Sequence, residues 1–290
     1  MNRAMAAAKT YYPTLKPERT YANVITTLAG FLFAARWHVD WALLLATLGG
    51  TTLVVMSACA ANNCTDRGID AQMSRTRGRA LVTHQASVQS VAALAVVLGV
   101  AGFALLVAYV NWLTVLLGVI AYIDYVVLYA WSKRTTPQST LIGTVSGALP
   151  LVAGYTAVTG HFDLTALLLG LVMTFWQMVH FYAIGIFRKD DYAAANLPVW
   201  PVRYGVRNTQ VWMLAYALLY LAAVVLLAVY GSAGVVFGVV TGLLGVYWIL
   251  RGLRGWRVQE PVAWARGMFG FSLLTLLALS GVLAVSPLLP

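Results

Sequence analysis

The sequence predicts an all-α integral membrane protein of nine transmembrane helices, N-terminus inside and C-terminus outside. Three observations carry this prediction. Of 290 residues 61% are hydrophobic and only 10% charged, too little charge to clothe a soluble globule. Mostly apolar runs of about 20 residues, the length that crosses a bilayer, recur along the whole chain. Lys and Arg also segregate to alternate connections between those runs. The net charge of +10 does not mark a nucleic-acid binder, because the basic residues are divided among separate connections and form no continuous basic face.

Residues 1–19, MNRAMAAAKTYYPTLKPER, lack the apolar core of a secretory signal and read as a cytoplasmic tail. Residues 20–290 read as a single transmembrane domain, with spans at about 20–36, 41–63, 86–110, 112–131, 139–159, 163–187, 208–230, 232–250 and 265–286. With the N-terminus inside, the connections after the odd-numbered spans contain Arg36 as their one basic residue. The other eighteen Lys and Arg fall in the tail and on the opposite side, which sets the orientation. Cys59 and Cys64 match neither a CxxC nor a zinc spacing and imply no disulfide framework.

The segments 62–85 and 188–207 are the long inside connections, and each opens with acids beside bases. In NNCTDRGIDAQMSRTRGRAL, from Asn62 to Leu81, a continued helix stacks Asn62, Asp66 and Asp70 at i, i+4 and i+8. Two carboxylates one turn apart can share a divalent cation, and Arg75, Arg77 and Arg79 follow with guanidinium forks suited to phosphate oxygens. Hard-oxygen ligands beside anion-binding groups suit a Mg²⁺–diphosphate pair; the alternative is a solvated loop obeying membrane charge rules. FRKDDYAAANLPVWPVRYG places Arg188, Lys189, Asp190 and Asp191 at a helix end before the breakers Pro198 and Pro201. Both loops face one side and can close over one cavity.

Between them Tyr129 lies one turn before Lys133 and Arg134, offering a phenol and two cations toward the same side, or an ordinary aromatic belt. Gly143 and Gly147 form a GxxxG packing face. The sixth span carries Trp176, Gln177 and His180 about two turns before Arg188; polar groups at that depth commonly face a cavity. His180 is either a ligand or orienter of a flat, cofactor-like substrate or a hydrogen-bonded packing residue. Asp124, deep in the fourth span, is a functional candidate unless it hydrogen-bonds a neighbouring helix. Arg251, Arg254, Arg257 and Arg266 around Trp256 and Trp264 read as an interfacial anchor.

Four stretches together, NNCTDRGIDAQMSRTR, SKRTTPQSTLIGTVSGALP, FWQMVHFYAIGIFRKDDYAAANLPVWPV and WARGMFGFS, resemble the UbiA superfamily of intramembrane prenyltransferases. Within it, WQMxH followed by DDYxAANxPVxPV resembles the haem-modifying branch. The resemblance implies a nine-helix UbiA-type bundle around a central cavity, with catalytic loops on the cytoplasmic face of a bacterial inner membrane. It also implies farnesyl transfer from farnesyl diphosphate to a vinyl group of haem B, with Mg²⁺, giving haem O. A quinone precursor or other aromatic acceptor is the alternative within the family; a transporter or an assembly subunit is the alternative outside it. Carried over by position, Asn62, Asp66 and Asp70 form the first metal–diphosphate motif and Asp191, with Asp190, the second. Lys133, Tyr129, Arg75, Arg79 and Arg188 meet the diphosphate, and His180, Trp176 and Gln177 meet the haem. Ala195 stands where superfamily members often carry a further acid, and Val179 where the haem branch has proline. The implied partners are the lipid bilayer and a receiver of the product, such as haem A synthase or a terminal oxidase. No nucleic acid is implied.

Overall fold

A computed structural model describes residues 3–289, and among them every regular element is helical. A short helix α1 (Arg3–Tyr11) and a 3₁₀ turn lead into α2 (Pro17–Ala35), followed by α3 (Trp41–Asp70) and α4 (Val88–Tyr109). Next, α5 (Trp112–Ile123) passes through a π-helical turn at Asp124–Leu128 into α6 (Tyr129–Thr135), which continues the same rod. The remainder comprises α7 (Ser139–Thr159), α8 (Leu164–Phe187), a short α9 (Lys189–Ala194), α10 (Trp200–Tyr230), α11 (Gly234–Arg254) and α12 (Pro261–Val285).

Local chemistry starts these helices where the polar residues of the sequence fall. The side chains of Asp40, Ser87, Asn111 and Asp163 accept from Leu43 N, Ser90 N, Thr114 N and Ala166 N, so each caps the helix that follows it. The loop acids Asp40 and Asp163 are accounted for in this way. Asn111 also donates its amide to Thr156 O at 2.8 Å, tying the start of α5 to the end of α7.

Eight helices among the described residues are long and apolar enough to cross a membrane, one fewer than the nine spans expected. The difference is α2. It is helical where expected, but it carries Glu18, Arg19, Asn23, Thr26 and Thr27 and falls short in apolar character. Its place explains part of its composition. Thr20, Thr26 and Thr27 are buried, and the hydroxyls of Thr26 and Thr27 bond back to Asn23 O, so these hydroxyls are satisfied within the helix, while Glu18 and Arg19 at its start stay exposed. A Cβ on Gly30 would lie 2.1 Å from Leu151 O of α7, and one on Gly154 of α7 would lie 2.0 Å from Thr27 O. Backbones this close require glycine on both helices.

At the other extreme α8 is buried along most of its length, and Leu169, Val172, Met178, Val179 and Ala183 are fully enclosed against α7, α10 and α12. The outward faces carry lipid-suited side chains, among them Trp41, Val96, Trp112 and Leu243. Asp124 opens the π-helical turn and accepts from Ser146 N of α7 at 3.0 Å. It therefore bonds a neighbouring helix, the second of the two roles open to it.

Candidate active site

The last two turns of α3 extend beyond the predicted span of 41–63, and this extension carries the first acidic motif. Asn62, Asp66 and Asp70 stack on one face, and all three are buried at the polar end of a cavity of about 630 Å³. Lys133, from the end of α6, donates to Asp66 Oδ1 and lies 5.2 Å over the Tyr129 ring. Arg134 comes within 3.7 Å of the same carboxylate oxygen. Arg79 Nη1 donates to Asp70 Oδ2 at 2.6 Å. Arg75 and Arg188 line the same cavity, so the diphosphate residues expected from the sequence come together.

Asn62 is satisfied on one side only. Its Oδ1 accepts from Lys16 Nζ at 2.6 Å, whereas its buried Nδ2 has no partner among the described residues. Such an orphaned donor carries a desolvation cost until an acceptor arrives. Lys16 and Arg19 enter the cavity from the segment assigned to the tail, and Arg19 Nη1 donates to Tyr125 OH at 2.6 Å. Burial lowers the Lys16 amine from its ordinary value to about 7. Sequence reasoning missed both residues. The available signal was a charged Lys-Pro-Glu-Arg run directly before a helix rich in Thr and Asn.

A second chamber, of about 570 Å³, is lined mainly by apolar groups and contains Trp176, Gln177 and His180. Arg19, Tyr125, Gly143, Phe181, Ile184 and Phe269 line both chambers, so the polar and apolar spaces share a boundary. His180 stacks on Trp176 with ring centroids 4.9 Å apart and faces Phe269 at 5.0 Å. Its Nδ1 is 2.6 Å from Ser272 Oγ, and Ser272 donates its own proton to Phe269 O. With the hydroxyl proton on Phe269 O, the tautomer that completes this chain carries its hydrogen on Nδ1 and leaves Nε2 with the lone pair that ligates metals. Trp176 Nε1 donates to Ser272 O, so one residue of α12 orients both rings.

The paired glycines of α7 prove specific to these side chains. A Cβ on Gly143 would stand 2.6 Å from the Tyr129 ring, and one on Gly147 would stand 2.0 Å from Gln177 Oε1. They make room for Tyr129 and Gln177.

Asp190 and Asp191 are held differently. Neither lines the polar cavity; Asp190 is exposed, and Asp191 Oδ1 accepts from Ser74 N at 3.2 Å and Ser74 Oγ at 2.6 Å. Arg188 approaches its other oxygen at 3.7 Å. Met73 packs against Ala195 and Leu197 beside this contact, so the two long connections close on each other as expected. In this arrangement Asp191 spends its lone pairs holding the loops together. Among the described residues no three His, Cys, Asp or Glu gather into a metal cage. Mg²⁺ commonly takes one or two carboxylates and completes its shell with water and substrate phosphate. Asp66 and Asp70 on one buried helix face supply that donor set.

The UbiA prenyltransferase family profile matches residues 23–277. A protoheme IX farnesyltransferase of Shewanella frigidimarina is 44% identical over 277 residues, covering 95% of this chain and 91% of that protein. Among solved structures, a digeranylgeranylglyceryl phosphate synthase superposes with a TM-score of 0.80 at 15% identity, covering 96% of this chain and 98% of that one. A UbiA homologue from Archaeoglobus fulgidus bound to GPP and Mg²⁺ gives 0.69 at 14% identity, covering 95% and 100%.

Proposed function

Because the chain belongs to the UbiA prenyltransferase family, we propose that it transfers the farnesyl group of farnesyl diphosphate to a vinyl group of haem B, with addition of water, giving haem O. The acceptor is inferred from the activity named for the Shewanella relative, and metal dependence from the Mg²⁺ held by the Archaeoglobus homologue. The observation that carries the reading within this chain is the unpartnered Nδ2 of Asn62. A buried donor between paired carboxylates and a crowd of cations fits the oxygen of a diphosphate.

In this reading Asp66 and Asp70 hold the metal, which neutralises the growing negative charge on the departing diphosphate. Lys133, Arg79, Arg75 and Arg188 receive diphosphate oxygens, and Asn62 donates its free N–H to one. Asp191, with Asp190, joins the metal set only when Ser74 and Arg188 release it. As the C1–O bond of the substrate breaks, these fixed cations stabilise charge where it develops, which is where electrostatic catalysis contributes most. Tyr129 and Trp176 offer π faces to the allylic cation, and the apolar chamber keeps water from it until the vinyl carbon has bonded to C1. Water then supplies a hydroxyl to the new side chain and releases one proton. His180 Nε2 ligates the haem iron, and Gln177 and Trp176 border the macrocycle.

The reading extends to the whole chain. Helix α2 is the ninth span, the N-terminus is inside and the C-terminus outside, and residues 20–290 form one catalytic domain. The acidic loops face the cytoplasm of a bacterial inner membrane, and the product passes to haem A synthase or a terminal oxidase.

The test is incubation of the purified protein with haem B, farnesyl diphosphate and Mg²⁺, followed by chromatography with mass detection beside a chelator control. A later-eluting haem heavier by a farnesyl group plus water, absent with chelator, is expected. Unchanged haem from folded protein that binds both substrates overturns the haem acceptor and turns attention to aromatic quinone precursors.

A further inference from the structure

The polar cavity holds more positive charge than a metal–diphosphate pair can use. Lys16, Arg19, Arg75, Arg79, Lys133, Arg188 and Arg266 line it against only Asp66 and Asp70. A diphosphate ester carries about three negative charges and one Mg²⁺ offsets two of them, so cations beyond those that receive the diphosphate leave room for a second anion in the same space.

Arg266 stands out among these cations. The other arginines of its loop are engaged or excluded: Arg251 packs over the rings of Tyr247 and Phe271, and Arg254 and Arg257 lie outside both chambers. Arg266 alone of that group lines the cavity, and among the described residues it makes no hydrogen bond or ion pair. It is also exposed, as an interfacial anchor would be, so it stands at the mouth of the cavity.

Its helix explains what it faces. On α12, Arg266, Phe269 and Ser272 recur at a spacing that keeps them near one face. Phe269 lies against the His180 ring, and Ser272 bonds His180 Nδ1. Arg266 is thus displaced along the helix by ~9 Å from the residue that orients His180, at 1.5 Å of rise per residue. The carboxylates of a porphyrin hang from its edge, at about this remove from the metal at its centre. Asp66, Asp70 and Lys133 stand on other helices, α3 and α6.

We propose that Arg266 receives a propionate carboxylate of the haem acceptor and so fixes how the macrocycle is turned about His180. This rests on the haem reading above and assigns that substrate's carboxylate a partner. A guanidinium offers paired N–H donors to both oxygens of a carboxylate, which sets orientation as well as affinity.

The experiment titrates the full-length protein with haem B and with haem B dimethyl ester, following the Soret band, for the wild type, Arg266→Gln and Arg266→Lys. The wild type is expected to prefer the free acid by about tenfold to a hundredfold, the range for losing a hydrogen bond to a charged group. Arg266→Gln should lose that preference and Arg266→Lys should retain part of it, while the KM for farnesyl diphosphate moves less than that for haem B. An Arg266→Gln protein that keeps the acid-over-ester preference, or loses farnesyl diphosphate instead, overturns the inference with the haem reading standing. A wild type that takes up no haem B removes the reading and the inference together.

Discussion

Asp66 is held by two cations, and its role follows from what they are free to do once a metal replaces them. Asp66→Asn keeps the shape and a hydrogen-bond acceptor for Lys133 but removes the charge. Turnover should fall by about a hundredfold or more, with expression and membrane insertion unchanged; near-normal turnover would take Asp66 out of the metal site. Lys16 gives a pH signature. With its amine drawn down to about 7 by burial, it is charged below that value and neutral above it, and a bound anion holds the proton on. Farnesyl diphosphate affinity should be full below pH 7 and fall as pH rises through it, by up to about tenfold per unit. Lys16→Met should weaken binding near the acid end and abolish that fall. Titrations that track the wild type across this range would exclude Lys16 from the anion site. For His180, the free lone pair on Nε2 predicts that His180→Ala shifts the Soret band of bound haem. An unchanged spectrum would leave it an orienting or packing role.

Among the elements, the crossing of α2 and α7 is the tightest constraint on the bundle. Gly154→Ala drives a methyl into Thr27 O, so the helices must separate, at a cost of about 3 kcal/mol. A lowered thermal midpoint in detergent should report it, beside Gly281→Ala, where a new Cβ meets nothing within 4 Å. Equal midpoints for both variants would refute the close crossing. Most helices were legible because an apolar run bounded by polar caps is a local signal: α4 and α7 begin and end within about two residues of expectation. The C-terminal end of α3 and the start of α10 were not. Asn62–Asp70 is too polar to register as a span, yet it stays helical because its polar face turns inward to the cavity. Helix α10 begins at Trp200, eight residues before the apolar run, and tolerates the break because Gly205 adopts φ +82°.

At the scale of the whole molecule, the acidic face of α3, Lys133, Arg188 and Arg266 converge on one cavity at one end of the bundle, as alternating connections require. With α2 crossing as the ninth span, as proposed above, the two termini would stand on opposite sides of the membrane. Topology reporters fused to each terminus should therefore give opposite readings; matching readings would mean that α2 enters the bundle without crossing. Composition and spacing by themselves determined the membrane class, the helical architecture, and the face on which Asn62, Asp66 and Asp70 stand, since each depends only on solvent and on neighbours one turn away. Only the tertiary structure decided that Lys16, Arg19 and Arg266 enter the site, that Asp191 fastens one loop to the other, and that Ser272 assigns the proton on His180. Those contacts join residues far apart in the chain, and a local pattern carries no record of which distant helix will pack beside it.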